Sequence, residues 1–150
     1  MRVLVVHGPN LNLLGEREPE IYGRQTLAEL NEAIAAAGNE IGIEVRCEQH
    51  NSEGAIIDAL HAARKNYDGV IINPGAYAHY SYAIRDAIAA IALPTIEVHL
   101  SNIAARERFR RTSVTAAACR GVVGGFGATG YALALRAIAE SLARSAHAPK

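Results

Sequence analysis

Tryptophan is absent from this chain of 150 residues, methionine occurs once, and cysteine and phenylalanine twice each. Lysine stands only at positions 65 and 150. Acidic and basic side chains number 15 each, so no global field draws the chain to nucleic acid or to a membrane surface. Two phenylalanines and six tyrosines also provide poorly for base stacking. The apolar runs stop far short of a membrane span, and the N-terminus lacks a signal-peptide layout. Cys47 and Cys119 fit no redox or metal spacing, which points to a reduced, cytoplasmic setting. Histidines 7, 50, 61, 79, 99 and 147 form no ligand pair at helical or short-loop spacing, so no metal is expected.

Half of the chain is hydrophobic, enough for a packed core. A chain of this length reads as one domain over residues 1–150, burying about two-thirds of its unfolded surface. Short β-branched runs at 2–6, 43–48, 69–73, 95–99 and 121–124 read as strands. Helical patterns fall at 26–40, 53–66, 81–92 and 128–145, with a shorter helix at 103–110. Thr26 and Glu29 have the spacing of a capping box, Ser52 suits a second N-cap, and Pro94 stops the helix before it. Tyr131, Leu135, Ile138 and Leu142 form an apolar stripe, and the tail after Arg144 is expected to fray. The alternation predicts an α/β fold, a five-stranded parallel sheet with helices on both faces. Ligands of such sheets bind beyond the carboxyl ends of the strands, where the strand order reverses.

The segment from His7 to Gly23 is far longer than the 2–6 residues or so usual between strand and helix. Leu11, Leu13, Leu14 and Ile21 argue against disorder, so a functional loop is expected. Within it Arg17 and Tyr22 read as a chemical pair, because a nearby guanidinium stabilises a phenolate.

Other strand ends add to this site. Asn73 stands at a strand tip, although asparagine before proline is also a common turn starter. His79 and Ser81 open a helix, where amide groups favour anions and a serine is often simply the cap. Glu97 and His99, two apart on a strand, face one side, and a carboxylate there fixes the imidazole tautomer and suits a general acid. The alternative is a histidine satisfied at a sheet edge. Leu100 and Ser101 offer backbone amides to a carboxylate, and Arg106 and Arg110 share a helical face suited to an anionic ligand. Gly125 to Gly130 fits G-x-G-x-x-G, but the chain ends before the second strand and acidic residue that a dinucleotide site needs. Those glycines read as a tight turn and close helix packing.

The combination of G-P-N-L-N-L-L-G…R-E-P-E-I-Y-G, N-P-G-A-Y-A-H-Y-S and E-V-H-L-S-N…R…F-R, extended by G-F-G…G-Y, resembles the type II 3-dehydroquinate dehydratases over nearly the whole chain. The resemblance implies a flavodoxin-like fold, a homododecamer built from trimers, and no cofactor. It implies dehydration of 3-dehydroquinate to 3-dehydroshikimate in the shikimate route, an anti elimination through an enolate. Carried across by position, Tyr22 takes the C2 proton and Arg17 holds it as phenolate. His99, oriented by Glu97, protonates the departing C1 hydroxyl, and Asn10 places a water against the enolate oxygen. Asn73, His79, Arg110 and the Leu100–Ser101 backbone hold substrate, and Asp86 reaches a neighbouring subunit's site. The chain departs from the commonest family pattern at His7, Ala78 and Tyr80, none of them assigned to chemistry.

Two rivals are set against this. An imine mechanism needs a desolvated lysine, whereas Lys65 sits in a charged helix end and Lys150 is terminal. A non-enzymatic binding or signalling domain on the same fold, a phosphoryl receiver or flavin carrier, needs acidic strand ends or a hydroxyl-rich first loop. Here Asn10 and Asn73 stand at those ends, and the loop has no serine or threonine before Thr26.

Overall fold

Burial on both faces makes the interior strands nearly continuous apolar runs. In β1 (Arg2–His7) every residue after Arg2 is buried, as parallel strands covered on two sides require. The computed structural model describes residues 1–146. Its remaining elements are α1 (Pro19–Tyr22), α2 (Leu27–Glu40), β2 (Glu44–Gln49), α3 (Glu53–Asn66), β3 (Gly69–Asn73), α4 (Tyr82–Ile91), β4 (Thr95–His99), β5 (Gly121–Gly124) and α5 (Thr129–Ala146). The strands form one sheet in the order β2-β1-β3-β4-β5, every pair parallel. This is the doubly wound order whose ligand crevice lies between β1 and β3.

The period of two along each strand divides the core. Val3, Val5, Ile71, Ile96 and Val98 pack on one face with Leu30 and Ile34 of α2 and Tyr131, Leu135 and Ile138 of α5. Leu4, Val6, Val70 and Ile72 pack on the other with Ile56 and Leu60 of α3 and Ile84 and Ile88 of α4. Each such side chain contributes about 1.5–3 kcal/mol on burial, so truncation to alanine is costly on either face.

The caps form as the spacing predicts. Thr26 Oγ1 accepts from Glu29 N at 3.2 Å while Glu29 Oε2 accepts from Thr26 N at 2.9 Å. Ser52 caps α3, and Ser81 Oγ accepts from Ile84 N at 3.1 Å as the cap of α4. α5 persists through Ser145 and Ala146, past the expected fraying point at Arg144. His147 and the rest of the tail lie outside the described residues.

One expected element is different. The helix predicted at 103–110 is two separate 3₁₀ turns, Ile103–Ala105 and Arg108–Arg110, with extended backbone at Arg106. So short a segment barely repays helix nucleation. Side chains take over its backbone bonding: Asn102 Oδ1 accepts from Ala104 N at 3.2 Å, and Arg111 Nε donates to Arg106 O at 2.9 Å.

The loops after β1 and β3 close tightly on each other. Gly8 N donates to Asn73 O at 2.7 Å. A Cβ on Gly8 would come within 2.6 Å of the Pro74 carbonyl carbon and oxygen, so only glycine lets these backbones meet.

Candidate active site

The long first loop is anchored by its leucines. Leu11 and Leu14 are buried in the α2/α5 core, whereas Leu13 and Ile21 are exposed. Asn10, left-handed at φ 69, is braced where its N–H donates to Asn51 Oδ1 at 3.0 Å. The loop then runs over the carboxyl ends of β1, β3 and β4 and covers a cavity of about 150 Å³. Asn10, Arg17, Tyr22, Asn73, His79, His99, Leu100, Ser101, Arg106 and Arg110 bring polar groups to its wall. Leu11, Leu14 and Ile103 add apolar surface.

Tyr22, the last residue of α1, meets two guanidinium groups. Arg106 Nη1 donates to its hydroxyl at 2.7 Å. The Arg17 and Arg106 guanidinium carbons lie 5.2 and 5.3 Å from the ring centroid, within cation–π range. Arg17 Nε also pairs with Glu18 at 3.3 Å. The direct bond to the phenol oxygen is made by Arg106, while Arg17, the guanidinium expected beside this tyrosine, lies over its ring.

His99 stands on the same cavity. Its Nε2 donates to Glu97 Oε1 at 2.6 Å, leaving Nδ1 as the ring nitrogen available to a ligand. Glu97 is wholly buried behind it, off the cavity wall. Burial pushes the Glu97 carboxyl up. Hydrogen bonds from His99, Ser113 and Thr115, aided by the charge of His99, outweigh that and hold it below the usual carboxylate range.

His79 Nδ1 donates to Thr112 O at 2.9 Å, which leaves Nε2 for a ligand. Arg110 Nε is buried without a hydrogen-bond partner, although Glu107 Oε2 lies 2.9 Å away as an ion pair. Asn73 is fixed at both ends of its amide. Oδ1 accepts from Gly75 N at 3.1 Å, and Nδ2 donates to Tyr131 Oη at 3.4 Å. The Tyr131 hydroxyl then donates to His7 Nδ1 at 3.2 Å, and His7 Nε2 donates to Asn31 Oδ1 at 2.8 Å. This proton order requires a neutral His7. Burial pushes its imidazole down to about 4, against a smaller opposing effect of the Asn31 bond.

Of the residues expected from the sequence, Ser81, Glu97 and Asp86 stand off the cavity of their own chain, and Ser81 is buried as the cap of α4. Asp86 is exposed on α4. Ser113 and Thr115, the hydroxyl donors to Glu97, went unread because they come from irregular backbone with no periodic signal. The Gly125–Gly130 segment is the expected turn, with φ of +89 and +55 at Gly125 and Gly127. Cys47 and Cys119 are free, and burial pushes their thiols up to about 11 and about 12. Among the described residues no group of three His, Cys, Asp or Glu could hold a metal, and no helix is long and apolar enough to cross a membrane.

A family model described as dehydroquinase class II matches residues 1–139. The chain belongs to that family. A 3-dehydroquinate dehydratase of Pelotomaculum thermopropionicum is 57% identical over 139 residues, 93% of this chain and 96% of the relative. The crystal structure of the type II dehydroquinase of Butyrivibrio crossotus superposes with a TM-score of 0.91 at 49% identity, covering 93% of this chain and 97% of that one. The type II dehydroquinase of Propionibacterium acnes gives 0.89 at 45% identity, covering 93% and 96%. The dehydroquinase fold is thus shared along almost the whole length.

Proposed function

We propose that this chain is a lyase that dehydrates 3-dehydroquinate to 3-dehydroshikimate in the shikimate pathway of aromatic amino-acid biosynthesis. The observation that carries the reading is one cavity holding both a guanidinium-bound phenol and a carboxylate-bound imidazole. A β-hydroxy ketone loses water most readily through its enolate, which calls for a base, an oxyanion partner and an acid. Tyr22, as phenolate, removes the C2 proton. Arg106 and Arg17 supply the positive charge that favours the phenolate and the developing enolate. Asn10 places a water against the enolate oxygen. His99 then delivers its Nδ1 proton to the C1 hydroxyl, which leaves as water while the C1–C2 double bond forms. The departure is anti to the abstracted proton.

The substrate carboxylate and hydroxyls fall to Arg110, His79, Asn73 and the backbone at Leu100 and Ser101. No Schiff base is involved: Lys65, the only lysine among the described residues, is exposed at the end of α3 and off the cavity. Neither cofactor nor metal takes part. Residues 1–150 form a single domain that works in the cytoplasm. Asp86, exposed on α4, completes a neighbouring subunit's site in a homododecamer, a tetramer of trimers.

The test is ultraviolet absorbance during incubation with 3-dehydroquinate. The conjugated enone should accumulate with wild type and not with Tyr22→Phe. Borohydride added with substrate should leave wild-type activity intact. Failure of well-folded wild type to generate the enone overturns the assignment.

A further inference from the structure

Glu97 occupies a place where a carboxyl group would ordinarily keep its proton: it is 0% exposed, on a strand packed on both faces. A neutral carboxyl there could not serve His99. Its Oε1 would lose the charge that holds the imidazole proton on the ring, and the dyad's proton would rest on Glu97.

Two hydroxyls oppose that. Ser113 Oγ donates to Glu97 Oε1 at 2.6 Å and Thr115 Oγ1 donates to Oε2 at 2.5 Å. Together with His99, both carboxylate oxygens are engaged. Ser113 Oγ also accepts from Ala116 N at 3.0 Å, so the backbone fixes the hydroxyl oxygen and its single proton goes to the carboxylate. Thr115 is wholly buried. Val114, between them, donates its N–H to Ala78 O at 2.7 Å and ties the segment to the turn that carries His79. The remaining titratable group beside the carboxylate is Cys119, whose thiol burial and the Glu97 charge push up to about 12, so it stays neutral.

We propose that Ser113 and Thr115 are positioning residues for the elimination: by holding Glu97 as an oriented carboxylate, they keep the dyad's mobile proton on His99 and aimed through Nδ1 into the cavity. This rests on the reading of His99 as the acid. The hydroxyls touch no substrate, and their action passes through Glu97.

The test uses the full-length protein, with Ser113→Ala, Thr115→Val and the double variant, and Thr115→Ser as the conservative replacement. Without a hydroxyl the carboxyl competes for the proton. The titration midpoint of the dyad, read from the His99 imidazole nitrogen resonances, then moves to higher pH. In parallel kcat falls about 10-fold in each single variant, as for loss of one hydrogen bond to a charged group, with KM nearly unchanged. Thr115→Ser restores both readouts, and it separates the hydroxyl's effect from a packing defect should Thr115→Val fold poorly. An unmoved midpoint with wild-type kcat in Ser113→Ala and in the double variant overturns the inference. So does a change confined to KM. The resonance titration needs no substrate, so it decides this point even if the wild type proves inactive on 3-dehydroquinate, which would sink the functional assignment alone.

Discussion

Arg106 Nη1 donates a 2.7 Å hydrogen bond to Tyr22 Oη across 84 positions of sequence, joining the first loop to the segment after β4. Arg17 lies over the same ring without a hydrogen bond to its oxygen. Loss of a hydrogen bond to a charged partner in the transition state costs about 2–3 kcal/mol, a roughly 30- to 150-fold fall in kcat. Arg106→Ala should show that loss. Arg106→Lys should recover only part of it, because an ammonium keeps the charge but not the planar fork. Steady-state kinetics on 3-dehydroquinate would check both, and near-wild-type kcat in Arg106→Ala would contradict the role.

How far such contacts can be read from sequence depends on the physics that makes them. Glu97 and His99 were legible because a strand's period of two forces them to one side. The limits of β3, β4, β5 and α3 were legible because the apolar strand runs are bounded by Gly69, Pro74, Pro94 and Gly124, and Ser52 is a helix cap. The Arg106 role was not. It depends on a break into two 3₁₀ turns that side-chain hydrogen bonds impose, and helical spacing described that segment wrongly. Ser113 and Thr115 reach Glu97 across 16 and 18 residues, by tertiary closure alone. Asp86 was legible as a helix residue, but the part proposed for it in a neighbouring site needs a second chain.

Gly8→Ala should destabilise the protein through the junction that shapes the cavity. The new methyl group would stand 2.6 Å from backbone atoms of Pro74, which cannot yield as a flexible side chain would. Separation of the two loops would also strain the Gly8 N to Asn73 O bond. The expected cost is about 2–4 kcal/mol, or roughly 5–15 °C in Tm. Thermal unfolding checks this, and an unchanged Tm would show that the loops part freely.

His7 should make the protein acid-labile well above the carboxylate range. Its imidazole is lowered from the ordinary 6.5 to about 4, chiefly by burial. The unfolded chain therefore binds the extra proton first. The neutral-His7 contribution is fully present above pH 6.5 and is lost as pH falls toward about 4, amounting to roughly 3 kcal/mol. The depressed Glu97 carboxyl has the same sign in a lower window: its contribution is present above the ordinary carboxyl value and lost as pH falls through the folded one. Denaturant midpoints between pH 7 and 4 should thus fall steeply in wild type and less in His7→Asn, which keeps a donor and an acceptor but cannot titrate. Parallel curves would remove His7 from this account.

Substrate should order the far half of the first loop and leave the near half unchanged. Leu11 and Leu14, each 6% exposed, hold the near half in the core. Beyond Arg17 the chain has exposed positions at Glu18, Pro19, Glu20 and Ile21, and α1 has no buried residue. Four helical residues cannot sustain themselves without tertiary contacts. Tyr22 packs against the edge of the core and meets two arginines, whose charges an anionic ligand would also engage. Binding therefore adds contacts where the protein has few, the usual basis of a closing lid. In hydrogen exchange with a non-reacting carboxylate analogue of the substrate, the amides of Glu18 and of Glu20 to Gly23 should gain protection while those of Leu11 to Leu14 change little. Equal protection with and without the analogue would mean that the loop is already closed, and access to the cavity would then have to come from another wall.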